Sequence, residues 1–446
     1  MKKLSSLFTV IIEHLIYRYY QLYWSLIRNK YHAQRQNKSK PRLLFGSTPI
    51  INNKLWAYAM AKAGYESKSI TFTVPKINSK GDFDIFFNDI YKIDSTAGSV
   101  KQLIQACKVF TFVAKNYDIL FTNFRYQFLS QTRFWKKEAF LFKYFGIKTL
   151  VLPYGNDFYM FSKIIDHSVK HNLFISSPLE VCNEEAINER AIYWRNMADF
   201  MTMSVMLDGA QRWDAISVSE LPIDIEEWKP RKEINTADGK TGVVRIVHTP
   251  NHRGLKGTEF IVRAFNELKE EGLKIELILI ENKQNSEVKR ILHEEADILA
   301  EQLIMTGYGL SGIEGMASGL AVMSNFERAD ITEVFRRYSF LNECPILSST
   351  PENVKENLRL LITQPKLRRE LSVASREYVE KYHSYDACKY LYEQIIDKIW
   401  FKKPLDTLNL YHPLKPDSFN NQSAIIKHPL IENKLPHDYF TKTKNS

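Results

Sequence analysis

Glycines and a single carboxylate crowd into one stretch of the chain, Gly307-Tyr308-Gly309-Leu310-Ser311-Gly312-Ile313-Glu314, just ahead of the apolar run Leu320 to Ser324. Glycine tolerates positive φ and leaves backbone N–H groups open to a ligand, so Gly307 and Gly309 suit a tight loop around an anion. A two-turn helix starting behind them aims unpaired amides and the positive end of its dipole at that loop. Glu314, placed in the first turn, then accepts hydrogen bonds from a pair of sugar hydroxyls. The spacing of Ser311 and Glu314 also fits a capping box, in which Glu314 serves only the helix start.

A second loop of the same kind lies about 50 residues upstream, where Asn251, His252, Arg253, Gly254, Leu255, Lys256, Gly257 and Thr258 follow a strand and open a helix. Arg253 and Lys256 bring two cations to a diphosphate, and the amides of Gly257 and Thr258 add donors. The alternative is a solvated basic turn. Two helix starts plus these cations can stabilise a leaving diphosphate without a metal. Pro250 between His248 and His252 argues against a helical metal face. Asp82-Phe83-Asp84 has the form of a metal-binding Asp-x-Asp and marks a rival, metal-dependent class of enzyme, although it sits in a Gly-Asp turn. Cys107, Cys182, Cys344 and Cys388 are scattered, which supports neither a disulfide framework nor a zinc site and suits a reducing cytoplasm.

The elements that must hold these residues alternate between strand and helix from Pro41 onward. Strands are expected at Leu43 to Phe45, Ser69 to Val74, Ile119 to Thr122 and Thr149 to Leu152, with helices near 55 to 63, 101 to 117 and 134 to 145. A long helix over 184 to 205 and a strand from Ala215 to Ser219 complete a first domain, 41–230. After a polar linker at 231–242, the strands Val243 to His248, Ile275 to Ile280 and Ile298 to Leu299 and the loop described above build a second domain, 231–400. The fold class is α/β, with two tandem Rossmann-like doubly wound domains whose natural ligand site is the cleft at the carboxyl ends of their strands. At the first domain's side of the cleft, Gly46, Ser47 and Thr48 end one strand, and Gly155, Asn156 and Asp157 end another. Asp157 either orients a ligand hydroxyl or is a simple turn aspartate. The proline-bearing tail, 401–446, is expected to be irregular, while a last helix at 385 to 400 can cross back onto the first domain.

A net charge of +10 points to an anionic partner. Residues 4 to 27 place Leu4, Phe8, Ile11, Leu15, Tyr19, Leu22 and Leu26 at helical spacing, followed by the basic run Arg28, Lys30, Arg35, Lys38, Lys40 and Arg42. Glu13, His14 and Arg18 make the segment too polar to span a bilayer, and no cleavage site marks a signal peptide. The expectation for residues 1–40 is an amphipathic, basic segment lying on an anionic membrane surface through residues 1–42, with packing on the first domain as the alternative. Deleting 1 to 40 is expected to leave the fold intact. Nucleic acid is a poorer partner, because no recognition motif accompanies the charge.

Over about 220 to 400, and more loosely over 41 to 220, the chain resembles the GT-B glycosyltransferases, and within them the large retaining group often called family 4. Leu221-Pro222-Ile223-Asp224 to Pro230 is similar to that family's interdomain segment, Lys256-Gly257-Thr258 to its phosphate-binding turn, and Ala296-Asp297-Ile298 with Gly307-Tyr308-Gly309-Leu310 and Ile313 to Val322 to its nucleotide-sugar loop. The resemblance implies a metal-independent enzyme that needs no cofactor and takes a nucleoside-diphosphate sugar, with the carboxylate matching Glu314 on the ribose. Joined with the scattered cysteines and the amino-terminal segment, it leads to the expectation of transfer to a glycan or lipid-linked acceptor from the cytoplasm, peripherally at the inner face of the cell membrane. Two positions depart from the pattern: Thr306 stands where a second glutamate is usual, and Asn251 where an arginine is usual, with Arg253 nearby. A related nucleotide-sugar epimerase and a non-catalytic scaffold at the membrane are the competing readings.

Overall fold

Short apolar runs that end in glycine or polar loops become the strands of two parallel sheets. The protein is described from a computed structural model over residues 2–36, 38–74, 78–155, 159–202, 208–216, 221–231 and 233–439. In the first domain, β1 (Leu43–Ser47), β2 (Ser67–Thr71), β3 (Ile85–Phe86), β4 (Ile119–Thr122), β5 (Lys148–Val151) and β6 (Phe200–Met201) lie in the order β3-β2-β1-β4-β5-β6. In the second, β7 (Val244–His248), β8 (Ile275–Leu279), β9 (Ile298–Thr306), β10 (Ala321–Asn325) and β11 (Leu347–Ser348) lie in the order β11-β10-β9-β7-β8. These are the two common doubly wound orders, and each has a switch point where a ligand crevice opens at the carboxyl ends. The first falls between β1 and β4, the second between β7 and β9.

Helix α1 (Lys2–Gln36) precedes the first sheet, which carries α2 (Asn52–Lys62), α3 (Phe87–Ile90), α4 (Ser99–Asn116), α5 (Glu138–Phe145), α6 (His167–Ser176), α7 (Pro178–Cys182) and α8 (Glu184–Met197). The second sheet carries α9 (Arg253–Lys256), α10 (Thr258–Glu270), α11 (Asn285–Glu294), α12 (Leu310–Ala317), α13 (Ala329–Tyr338), α14 (Val354–Thr363) and α15 (Pro365–Tyr382), and α16 (Tyr385–Ile399) follows. As expected, α16 returns to the first domain. Its Tyr392 ring sits 5.7 Å from Phe45 and 5.1 Å from Phe121, so one apolar core runs through both halves. Arg376 on α15 donates to the carbonyls of Ile225 and Trp228, which clasps the interdomain segment.

Several expectations need correction. The helix from 184 stops at Met197, because Phe200–Met201 pairs with β5 as an edge strand. Residues 217–219 of the strand foreseen at 215 lie outside the described residues, and Ala215 and Ile216 are buried without strand pairing. Strand β9 runs to Thr306 rather than ending at Leu299, since Glu301 and Gln302 find polar partners inside the sheet. The described part of the tail has no long helix or strand, as expected, yet it is tied down. Tyr411 is fully buried, and the Asn433 side chain donates to Cys344 O and Ile346 O at 2.9 Å each.

The largest correction concerns the amino-terminal segment. One face of α1 packs on the first domain through Tyr17, Tyr20 and Trp24, whose indole donates to Thr111 at 2.8 Å. The second half of the basic run is largely tied to this domain. Arg35, Lys38 and Arg42 converge on the buried Asp118, while Lys40 is exposed and lies over the Tyr65 ring. Deleting residues 1–40 would therefore strip the first domain of core side chains. None of the described helices is long and apolar enough to cross a membrane.

Candidate functional site

Both glycine loops lie at the switch point between β7 and β9. His248 ends β7 fully buried; its Nδ1–H donates to Ala300 O at 2.7 Å, so Nε2 accepts from the Thr258 hydroxyl at 2.8 Å. Burial pushes this imidazole down to a pKa of about 4. The pair fixes the start of α10 against β9. Thr258 thus turns its side chain into the core, and only its backbone remains for a ligand.

Between the two helix starts stands a buried acid that sequence reasoning did not single out. Glu301 Oε1 accepts from Lys256 Nζ at 2.7 Å, from the Gly309 amide at 3.0 Å and from Ser311 Oγ at 3.0 Å, while Ser324 Oγ lies 3.0 Å from Oε2. Its side chain is 0% exposed, so a counter-charge is obligatory, and Lys256 supplies it. The ammonium also reaches Gln302 Oε1 at 3.1 Å and Ser311 Oγ at 3.4 Å. An ammonium has three donors, and all three have protein acceptors here. Lys256, expected as a free phosphate cation, is instead the rivet that joins the turn after β7 to the start of α12.

The loop itself is close to expectation, with two differences. Gly307 has φ of +89°, but Gly309 is the N-cap residue with φ of −104°, and its amide is taken by Glu301. Because α12 starts at Leu310, Glu314 falls in the second turn and makes no capping box; its nearest partner is Asn285 Nδ2 at 3.5 Å. Burial pushes the Glu314 carboxyl up to a pKa of about 8, with Asn285 and Lys256 pulling the other way and Glu301 adding to the rise. Tyr308 packs inward, its hydroxyl 2.9 Å from Tyr378 and 3.0 Å from His383. Leu310 is half-buried beside the amides of the first turn. Gly257 is left-handed, with φ of +71°, at the junction of α9 and α10. Asn251 is exposed, and Arg253 at the rim pairs with Glu259 and Glu281.

Across the cleft, Gly46, Ser47 and Thr48 lie at the first domain's switch point. Ser47 donates to Tyr126 O, and Asn123 donates to the Thr48 hydroxyl, so the loop after β1 is bound to the one after β4. Asn156 and Asp157 lie outside the described residues. Asp84 is held by Lys54 at 2.7 Å and by Ser69, and Asp82 caps Ser79 at 2.7 Å, which gives this Asp-x-Asp a structural occupation.

The two domains touch at the mouth of the site. Helix α6 rests on α9 so closely that a Cβ on Gly254 would come within 2.3 Å of Asn172 Oδ1. Arg328, just past β10, makes a two-pronged contact with Asp208 at 2.6 and 3.0 Å. Tyr159, Ile164, Asp208, Thr306, Arg328 and Ile331 line a small cavity there. The buried Thr306 hydroxyl has no hydrogen-bond partner among the described residues. Glu301, Arg328 and Asp208 were missed from sequence. The available signals were an acid and an amide inside an apolar strand, and an arginine at the carboxyl end of another.

No family model matches the chain, and no curated protein matches its sequence. Among solved structures it is similar to Anabaena Alr3699/HepE in complex with UDP-glucose, with a TM-score of 0.50, 8% identity, and coverage of 80% of this chain and 100% of that one. A glycosyltransferase from Rickettsia africae gives a TM-score of 0.48 at 14% identity, covering 82% of this chain and 100% of that one. The UDP-GlcNAc 2-epimerase of Neisseria meningitidis bound to UDP-GlcNAc gives 0.42 at 11% identity, over 81% and 99%. At such identities the likeness is one of fold. The chain has the two-domain GT-B architecture.

Proposed function

We propose that this protein is a glycosyltransferase that moves a sugar from a nucleoside-diphosphate sugar to a glycan or lipid-linked acceptor. In this reading it acts with retention and without a metal or other cofactor, in the synthesis of cell-surface polysaccharide or glycoconjugate, in a cytoplasm where its four cysteines stay reduced. The observation that carries the reading is the meeting of the α9–α10 turn and the α12 start around Glu301, with Glu314 buried one turn along α12. The diphosphate lies against the amides of Leu310 and Ser311, which have no carbonyl to reach in their own helix, with the α10 start and Arg253 beside them. Fixed dipoles of this kind stabilise the leaving diphosphate without reorganising. Glu314, once ionised, accepts from the ribose hydroxyls. The sugar faces Thr306 and the cavity at Arg328, where the contact between domains excludes water from the reacting carbon. The loop at Gly46 to Thr48 and the segment bearing Asn156 and Asp157 present the acceptor hydroxyl.

UDP-glucose, the ligand of the Anabaena protein, is the first donor to try. The test incubates the purified protein with UDP-glucose and other nucleotide-sugars, with and without a lipid-linked saccharide extract, in the presence of EDTA. The expected result is nucleotide release that depends on the extract and survives chelation, with the anomeric configuration kept. Conversion of the donor without an acceptor would favour the epimerase reading. A thermal-shift screen with no response to any nucleotide-sugar would favour the non-catalytic scaffold.

A further inference from the structure

Helix α1 is 35 residues long and uses only one face to pack on the first domain. Its opposite face leaves Phe8, Ile11, Leu15, Tyr19, Leu22 and Leu26 in solvent, with Leu22 at 69% and Leu26 at 82% exposure. These positions form a straight stripe of ~27 Å at 1.5 Å per residue. The stripe does not end with α1. Arg28 lies over the Tyr144 ring and donates to Tyr144 O, which joins α1 to α5, and α5 exposes Phe140 and Tyr144 one turn apart.

Cations outnumber acids around this two-helix face. Arg18 is exposed within the stripe and Lys30 beyond its end, while Lys137 and Lys143 are exposed on and beside α5; Lys136 next to them pairs with Glu189 of α8. The carboxylate of α1, Glu13, is buried and paired with Arg133, and that of α5, Glu138, is buried on the amides of Phe128 and Leu129. Nothing acidic on either helix offsets the cations.

We propose that the joint face of α1 and α5 is a docking surface for an anionic lipid bilayer, with α1 lying in the interface plane. An apolar stripe flanked by exposed cations and bearing tyrosines meets acyl chains and anionic headgroups together. A second copy of the chain fits poorly, because two such faces would set like charges against each other. The apolar stripe is the one expected from sequence, but its flanking cations differ: Arg35, Lys38 and Arg42 of the basic run are held by Asp118, and α5 joins the face instead. Glu13 and His14 meet Arg133 and Phe134, beyond the carboxyl end of β4, whereas Arg35 reaches Tyr117 O just before β4 begins. The amino-terminal end of the stripe is therefore on the cleft side of the domain. That orientation suits a lipid-linked acceptor and rests on the proposed function; the docking face does not.

The test is co-sedimentation of the full chain with vesicles of phosphatidylcholine alone and with about one-third phosphatidylglycerol. The expected result is binding to the anionic vesicles only, weakened by salt and reduced about tenfold or more by Leu15→Glu with Leu22→Glu. Both leucines are exposed, so thermal melting and the UDP response of this variant should match the parent, which separates a failure here from a failure of the donor site. Absence of binding to anionic vesicles, or binding that the double variant leaves unchanged, would overturn the proposal. So would self-association in solution that the variant abolishes without any vesicle binding.

Discussion

Lys256 and Glu301 show how one buried pair can join two helix starts. Removing either partner leaves an uncompensated charge in the core. Lys256→Ala or Glu301→Ala is therefore expected to lower stability by about 3–5 kcal/mol. Replacing both by apolar residues of similar size, Lys256→Met with Glu301→Leu, should recover much of that loss while weakening UDP binding, since the α12 start loses its tether. Urea denaturation and calorimetric titration check the two halves. Glu314 allows a sharper test. Burial pushes its carboxyl up to a pKa of about 8, and ribose hydroxyls bond more strongly to the ionised form. UDP affinity should rise between pH 6 and 8 and then level off, and Glu314→Gln should flatten that rise. Glu314→Ala should raise the UDP dissociation constant about tenfold or more. The two glycine loops were legible as helix starts after strands, whereas spacing alone left Glu314 between a ligand contact and a cap and placed it one turn too early. Glu301 was not legible, because an acid inside an apolar run reads as the end of a strand unless its buried counter-charge, 45 residues away, is known.

At the scale of elements, alternating apolar strands and amphipathic helices made the two sheets readable, while contacts between elements stayed hidden. Nothing in the basic run distinguishes Arg28 from Arg35; only the position of Asp118, 83 residues beyond Arg35, sends one outward and the other into the domain. The sequence therefore leaves α1 between a membrane surface and the first domain, and the expectation that its deletion spares the fold fails on Trp24 and Tyr17. Trp24→Ala should instead cost about 3–5 kcal/mol, as for a fully buried large aromatic, and removal of residues 1–40 should yield insoluble or unfolded protein. Expression trials and thermal melting decide. The two-pronged contact of Arg328 with Asp208 belongs to this scale too, because it joins α13 to the first domain across the cleft. Arg328→Ala should raise the radius of gyration of the nucleotide-free protein in small-angle scattering; an unchanged value would mean that α6 on α9 and α16 on α2 hold the cleft shut alone.

For the whole molecule, two buried imidazoles, one inside the second domain and one against the interdomain segment, set a limit in acid. His248 locks α10 to β9, and His383 accepts the interdomain Ile223 amide at its own carbonyl while its ring meets Tyr308. Burial pushes both down to about 4. The unfolded chain takes up these protons near the ordinary histidine value of about 6.5, so stability should fall as pH drops from about 6.5 to 4, by on the order of 3 kcal/mol for each ring. Melting temperatures across that range measure it. The larger question is whether the meeting of the two helix starts holds a nucleotide diphosphate. Hydrogen exchange of the full protein with and without UDP asks this directly. The account predicts slowed exchange at 254 to 261 and 307 to 315 together. Protection confined to other segments, or none at saturating UDP, would contradict it.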